Sequence, residues 1–159
     1  MRPVRSYNER IKALNFAMQF GGAPHAMLKD ADVILVGVLG TRKVHTAILL
    51  GNKGLKVAHM PIVLCQQPDP EVVALRSRVV GLYTSVDEVI AMRHDEFFNP
   101  FRTITEPQSV RDAIATEIEY SRQLAKDFGW KEICITGLSL EEAGTQIIDL
   151  YEQRALQVQ

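Results

Sequence analysis

The sequence predicts an α/β domain: a mainly parallel sheet of about four strands with helices on both faces. Short apolar runs rich in β-branched residues alternate with longer stretches whose apolar positions recur at helical spacing. The first run is nearly continuous in its apolar character, which is typical of a parallel strand covered on both sides. A strand, a helix and a second strand then follow one another within about 30 residues, the length of a βαβ unit.

The amino-terminal half contains this βαβ unit. Apolar residues at helical spacing predict a first helix over residues 6–19, and a loop follows at residues 21–24. The strand, helix and strand of the unit are expected at residues 32–38, 43–52 and 56–63. Gly40 ends the first strand. Pro61 indicates that the second strand is short, bulged or near an edge, because proline has no N–H for a sheet ladder.

The carboxy-terminal half combines two further strands with three helix starts. Pro68-Asp69-Pro70 predicts a loop, and the strands are expected at residues 78–84 and 132–136. Each helix start has the spacing of a capping box, in which two side chains satisfy each other's backbone N–H groups. The three pairs are Ser85 with Glu88, Thr105 with Gln108, and Ser139 with Glu142. Gly129 is expected to end the long middle helix.

Composition narrows the classes of function. The 159 residues include 18 Lys and Arg against 19 Asp and Glu, a formal charge of −1. This length suits one core, so a single domain over residues 1–159 is expected. Without a long basic run, nucleic-acid and anionic-membrane binding are not predicted. The chain also has neither an apolar run of about 20 residues nor a signal-peptide core, so a cytoplasmic location is expected.

Cysteine and histidine give no metal pattern. Cys65 and Cys134 lie far apart among apolar neighbours, which favours reduced core thiols over a disulfide or a metal pair. The four histidines show no ligand spacing; they are His25, His45, His59 and His94. No metal site is therefore predicted.

The turn after the first strand is the candidate binding site, because the first strand-to-helix turn of an open α/β sheet commonly holds phosphate. Its residues are Gly37, Val38, Leu39, Gly40, Thr41, Arg42, Lys43 and Val44. Glycines let backbone N–H groups close on an anion, the helix amino terminus adds partial positive charge, and Lys43 would reach phosphate oxygens. Arg93 and His45 are each compatible with anion contact and with an exposed helix face.

This turn only partly matches the pattern G-x-x-x-x-G-K-[ST]. Gly37 and Lys43 fit, whereas Arg42 replaces the second glycine and Val44 replaces the hydroxyl that would hold magnesium. Two interpretations stay open: a phosphate site, and a tight corner that needs glycine for its geometry alone. A dinucleotide site is less favoured, because the full G-x-G-x-x-G spacing and a carboxylate after the second strand are both missing.

A wider resemblance covers nearly the whole chain. The segments that carry it are collinear and include residues 31–38 (ADVILVGV), Thr41, Lys43, 53–58 (KGLKVA), 61–63 (PIV), 80–82 (VGL), Ser85, Arg93, 117–121 (EIEYS), 129–130 (GW) and 139–143 (SLEEA). In this order they resemble the pyruvate, phosphate dikinase and phosphoenolpyruvate synthase regulatory proteins. The resemblance implies a P-loop-kinase-like fold.

The resemblance also implies a bifunctional enzyme. Such a serine/threonine kinase uses ADP to phosphorylate a threonine of the dikinase or synthase, and its pyrophosphorylase activity removes that group with inorganic phosphate. ADP and phosphate would be substrates, Mg²⁺ a candidate cofactor, Lys43 the catalytic residue, and the dikinase or synthase the partner. Full-length members carry a further amino-terminal region, which we expect this chain to lack. A homo-oligomer is left open.

The departures from the family fall at the site. The family loop reads approximately G-V-S-R-T-S/G-K-T, and the residues that differ from it are Leu39, Gly40, Arg42 and Val44. A family His-Asp-Asp run suited to acid/base work is replaced by Phe20, Gly21 and Gly22. His59 stands where the family has Asn. Glu96 falls near the sequence position at which the family has a second arginine, beyond Arg93.

These departures leave alternatives to the enzyme. One is a non-catalytic regulatory domain or subunit that binds a nucleotide or phosphate. Another is an unrelated small-ligand α/β domain whose turn only imitates a phosphate loop.

Overall fold

A computed structural model describes residues 6–19, 25–95 and 106–158. Its strands form one parallel sheet in the order β2-β1-β3-β4. They are β1 (Val33–Gly37), β2 (Val57–Pro61), β3 (Val79–Tyr83) and β4 (Lys131–Cys134). The predicted α/β class and the four-stranded parallel sheet are confirmed. Pro61 ends β2, which is an edge strand as its proline indicated.

The helices surround this sheet. They are α1 (Tyr7–Gln19), α2 (Lys43–Asn52), α3 (Pro70–Ala74), α4 (Val86–Asp95), α5 (Gln108–Phe128) and α6 (Leu140–Val158), with 3₁₀ helices at His25–Asp30 and Arg76–Arg78. The bounds of α2 are those predicted. Gly129 ends α5 in the left-handed conformation with φ 72°, which glycine adopts without the steric cost of a Cβ. Of the described helices, none is long and apolar enough to cross a membrane.

Two local predictions were wrong at least in part. Residues 68 and 69 lie outside any helix, as predicted, but Pro70 begins α3, because the Asp69 carboxylate accepts the Glu71 N–H at 2.8 Å and proline suits the first turn. The long helix α5 has Pro107 as its N-cap and no side-chain cap. Thr105, the predicted cap, lies outside the described residues.

The core lies on both faces of the sheet. All five residues of β1 are buried, and the four before Gly37 alternate between two apolar clusters. Ile34 and Val36 pack with α3 and α5 on one face, whereas Val33 and Leu35 pack with α2 and α6 on the other. Coverage of both faces explains why the β1 sequence is continuously apolar.

The cysteines differ from expectation. Cys65 and Cys134 are both free thiols, as predicted, but both are exposed rather than part of the core. Cys65 follows the end of β2, and Cys134 ends β4. Apolar neighbours in sequence did not indicate burial here, because both residues lie where strand structure gives way to loop.

Candidate functional site

The loop between β1 and α2, residues 38–42, is shaped by two glycines beside tight neighbours. A Cβ on Gly37 would lie 2.6 Å from the Leu82 carbonyl oxygen and 2.9 Å from Thr41 Oγ1. Gly40 has φ 102°, and a Cβ there would lie 3.0 Å from the Val89 carbonyl oxygen. Any other residue at either position would push against the backbone of Leu82 or Val89. The two glycines therefore determine the conformation of the turn between β1 and α2.

Lys43, the first residue of α2, turns its side chain into this loop. Its Nζ donates to the Val38 carbonyl oxygen at 2.9 Å and to Thr41 Oγ1 at 3.2 Å. Thr41 Oγ1 donates to the same carbonyl at 2.9 Å. Lys43 is 7% exposed and Thr41 fully buried. The loop is thus closed around the ammonium group.

Burial, followed by the charge of nearby Arg93, lowers the pKa of Lys43 to about 8. Both effects disfavour the charged ammonium. Two oxygen acceptors offset only part of the lost hydration. An anion in contact with Lys43 would favour the charged form and raise this pKa.

Arg42 gives the loop a second unusual feature. Its backbone is left-handed, with φ 57°, although it is not glycine. Its guanidinium donates to the carbonyl oxygens of Leu138 at 2.8 Å and Ile135 at 3.4 Å, in the segment between β4 and α6. Arg42 is the N-cap of α2 but supplies no side-chain cap. The first N–H groups of α2 therefore receive no acceptor from that side chain.

A cavity of about 470 Å³ opens beside this loop at the carboxyl end of β1. It is lined by Leu39, Gly40, Arg42, Lys43, Val44, His45, His59, Pro61, Met92 and Arg93. Every ionisable side chain in this lining is basic. The volume lies within the range of small-molecule pockets, and the charges suit an anion.

Arg93 braces the loop from α4. Its Nε donates to the Leu39 carbonyl oxygen at 2.9 Å, and its two terminal nitrogens each lie 3.3 Å from a carboxylate oxygen of Glu117. Both side chains are a quarter exposed. Two-point pairing fixes the plane of the guanidinium. Arg93 is thus held at the cavity wall, although Glu117 offsets part of its charge.

His59 faces the cavity from β2. Burial and then the charge of Lys43 lower the pKa of His59, so its imidazole is neutral at pH 7. A neutral imidazole can act as a base at that pH. His45, which is exposed on α2, also lines the cavity.

The structure divides the eight predicted site residues into two groups. Those that line the cavity are Leu39, Gly40, Arg42, Lys43 and Val44. The other three support the loop from behind: Gly37 through its close approach to β3, and Val38 and Thr41 through their bonds to Lys43. Whether any of them binds a ligand stays a prediction.

Some residues that line the cavity were not predicted from the sequence. Met92 and Pro61 line the cavity, yet neither carried a chemical signal. His59 and Arg93 were noticed singly, but nothing in the sequence joined them to Lys43. The signal available was their position: His59 lies near the end of β2, which pairs with β1, and parallel strands end at one edge of the sheet.

Fold and cavity together define an α/β domain with a cationic hollow at the carboxyl end of its first strand, where such sheets bind ligands. A family model described as Kinase/pyrophosphorylase matches residues 2–148. This chain therefore belongs to the kinase/pyrophosphorylase family, and the resemblance found in the sequence is confirmed.

Relatives named pyruvate, phosphate dikinase regulatory protein match over most of the chain. The one from Chelativorans sp. (strain BNC1) is 38% identical over 147 residues, which cover 91% of this chain and 54% of that protein. The Sinorhizobium fredii protein is 37% identical, with 91% and 54% covered. The Caulobacter vibrioides protein is 36% identical, with 92% and 47% covered. The chain spans about half the length of these curated relatives.

Proposed function

We propose that this chain forms the nucleotide- and phosphate-binding part of a kinase/pyrophosphorylase that regulates pyruvate, phosphate dikinase or phosphoenolpyruvate synthase. Its substrates would be ADP, inorganic phosphate and a threonine of the target. The observation that carries this proposal is the cavity at the end of β1, whose ionisable lining is entirely basic. Family membership and the names of the relatives support the same chemistry.

Two cations would stabilise the transferred group. Phosphoryl transfer depends on positioning and on compensation of charge at the phosphoryl oxygens. Lys43 would leave the Val38 carbonyl and contact these oxygens, while Arg93 would contribute its charge from the cavity wall. Removal of one such donor commonly costs about 3 kcal/mol of transition-state stabilisation.

His59 is suited to proton transfer at this site. Its imidazole lines the same cavity as Lys43 and is neutral at pH 7 because its pKa is lowered. A neutral imidazole can accept the proton of an attacking hydroxyl. Phe20 to Gly22, which replace the family's acid/base run, lie outside the described residues.

The described residues of the cavity do not fit a magnesium site. Magnesium prefers oxygen ligands, above all carboxylates, and the described lining offers none. Thr41 and Thr46 are buried and neither lines the cavity, and the Thr41 hydroxyl oxygen already accepts from Lys43 Nζ at 3.2 Å. No step of the proposed mechanism is therefore assigned to a metal held by these side chains.

A second candidate is a regulatory domain that binds the nucleotide or phosphate without catalysis. It is favoured by the closed loop, in which Lys43 is bonded to Val38 and Thr41. The lack of a carboxylate base in the described lining points the same way. This candidate shares the binding site and differs only in the transfer step.

Titration calorimetry with ADP and with inorganic phosphate tests the shared part. Wild type should bind both, and Lys43→Ala should weaken binding by about tenfold or more, because a charge-assisted contact is lost. Lys12→Ala, which removes an exposed cation on α1, is the matched control and should bind like wild type. If neither ADP nor inorganic phosphate gave a binding heat, both candidates would be rejected.

Phosphotransfer from ADP labelled in its β-phosphate to purified dikinase or synthase separates the two. Label on a target threonine, reduced strongly in Lys43→Ala and moderately in His59→Gln, supports the enzyme. Tight ADP binding without label supports the regulatory binder.

A further inference from the structure

A second cationic hollow lies at the opposite edge of the sheet, where the strands begin. It has a volume of about 210 Å³. Val33 and Val79 open the strands β1 and β3 at its base, and Lys131 opens β4. The 3₁₀ helix Arg76–Arg78 and Arg154 of α6 form its walls. We call this site the amino-edge hollow.

The charges around the amino-edge hollow are one-sided. Its lining includes Arg76, Arg78, Lys131 and Arg154, and no carboxylate among the described residues that line it. Burial and then the charge of Arg78 lower the pKa of Arg154. The two guanidinium groups therefore act on each other, and bringing such groups together costs free energy unless an anion offsets it.

Backbone contacts account for only part of this arrangement. Arg78 Nη1 donates to the carbonyl oxygens of Lys29 at 2.6 Å and Ala31 at 3.1 Å, and Arg154 Nη2 donates to that of Asp32 at 2.9 Å. These bonds fix the turn before β1 and aim both guanidinium groups. They use a fraction of the five N–H donors that each guanidinium carries. A carbonyl oxygen also cannot neutralise a full positive charge.

Among the described residues, the other two cations of the hollow make no backbone bonds of this kind. Arg76 and Lys131 are exposed, yet both lie against the same hollow as Arg78 and Arg154. The carboxylate of Asp32 is near enough to act on Arg154. It accepts the Lys56 N–H at 2.9 Å, however, and is not part of the lining. No described residue of the lining therefore carries a carboxylate that would neutralise these cations.

The hollow, with a volume of about 210 Å³, has room for a phosphate group. Guanidinium groups match phosphate oxygens in geometry as well as charge.

We propose that the amino-edge hollow binds a phosphate dianion, either inorganic phosphate or the phosphoryl group of a small phosphomonoester. The site is separate from the cavity at the end of β1, on the other edge of the same sheet. It does not rest on the proposed function, because it needs neither Lys43 nor any residue of the β1–α2 loop.

The test follows backbone amides by heteronuclear NMR during titration with inorganic phosphate. The titration is carried out on the Lys43→Ala variant, because this substitution weakens anion binding in the cavity at the end of β1. Saturable chemical-shift changes are expected for the backbone amides of Ser77, Gly129 and Lys131, because these residues line the hollow. Sodium chloride at equal ionic strength should not reproduce them, because chloride cannot make the multipoint contacts of phosphate.

Charge removal at the exposed positions gives the second arm. The pair Arg76→Gln and Lys131→Gln should weaken phosphate binding about fivefold or more, without disturbing the backbone bonds of Arg78 and Arg154. Lys12→Gln is the matched control. Shifts confined to residues 38–45, shifts reproduced by chloride, or an unchanged affinity in the double variant would each overturn the proposal.

The source of the phosphate is decided by repeating the titration with glycerol 3-phosphate. Tighter binding than that of inorganic phosphate, with the same amides shifted, identifies an organic phosphomonoester. Equal or weaker binding identifies inorganic phosphate. Either result retains the site, since both ligands present the same dianion.

Discussion

Lys43 is the residue whose environment says most about the site. Its ammonium is almost fully buried and bonded to Val38 and Thr41. Burial and the charge of Arg93 lower its pKa to about 8. A buried cation with so little compensation lowers stability, and an anion bound at the proposed site would offset that cost.

We expect Lys43→Met to stabilise the protein at pH 7 while weakening phosphate binding at the β1–α2 loop by about tenfold or more. The variant removes the buried charge, and the Val38 carbonyl keeps the Thr41 hydroxyl as a partner. Urea unfolding at pH 7 measures the first effect and calorimetry the second. A variant less stable than wild type would show that the two hydrogen bonds outweigh the cost of burial.

The same pKa predicts a pH dependence. Between about pH 8 and its ordinary value of 10.5, Lys43 is protonated in the unfolded chain and largely neutral in the folded one. The free energy of unfolding therefore rises with pH over this interval, by about 3 kcal/mol for this group. The difference in the free energy of unfolding between Lys43→Met and wild type should therefore shrink by that amount from pH 7 to pH 10.5. A constant difference would contradict the shifted pKa.

Single residues were predictable in type but not in orientation. The sequence marks Lys43 as the cation that follows a glycine-rich turn, but its inward direction depends on carbonyl and hydroxyl positions within the folded loop. Arg93 is similar, because its contacts with Leu39 and Glu117 bridge segments far apart in the chain. The exposure of Cys65 likewise depends on where β2 stops, which apolar neighbours do not reveal.

At the scale of elements, the capping boxes show which signals act locally. Ser139 and Glu142 exchange both expected bonds, at 3.1 and 3.2 Å. Ser85 accepts the Glu88 N–H at 3.2 Å, but the Glu88 carboxylate bonds instead to the Thr84 hydroxyl and the Gly137 N–H. The first box needs only neighbours in sequence, whereas the second is changed by a segment 49 residues away.

Ser139→Ala should lower the free energy of unfolding by about 1 kcal/mol, because an N–H of α6 loses its acceptor. Ser139→Asp retains an acceptor and should stay close to wild type. Thermal unfolding of the three proteins measures the effect. Equal losses in both variants would show that the cap contributes nothing and that the serine is needed for another reason.

At the scale of the whole molecule, β1 joins two cores. Ile34 and Leu35 are neighbours with no exposed surface, and they lie in different clusters on opposite faces of the sheet. The parallel sheet was predictable because both faces are covered, which makes its sequence continuously apolar. The strand order was not predicted, since pairing depends on contacts that no local pattern encodes.

A single cooperative unit is therefore expected. Ile34→Ala and Leu35→Ala should each cost about 2–5 kcal/mol, and each should shift the whole transition. Trp130, the one tryptophan of the chain, lies in the cluster of Ile34, so its fluorescence follows that face. Leu35→Ala should move the fluorescence and circular dichroism transitions equally. A Trp130 transition that ignores Leu35→Ala would reveal two independent units.

Arg42 connects distant parts of this architecture through one side chain. Its backbone caps the start of α2 after the β1–α2 loop, while its guanidinium donates to the Ile135 and Leu138 carbonyls beyond β4. In the sheet, β3 separates those two strands. The side chain thus links the loop after β1 to the segment before α6, across β3. Removing its guanidinium would release the Ile135 and Leu138 carbonyls, so a change in the conformation of one segment would alter the other.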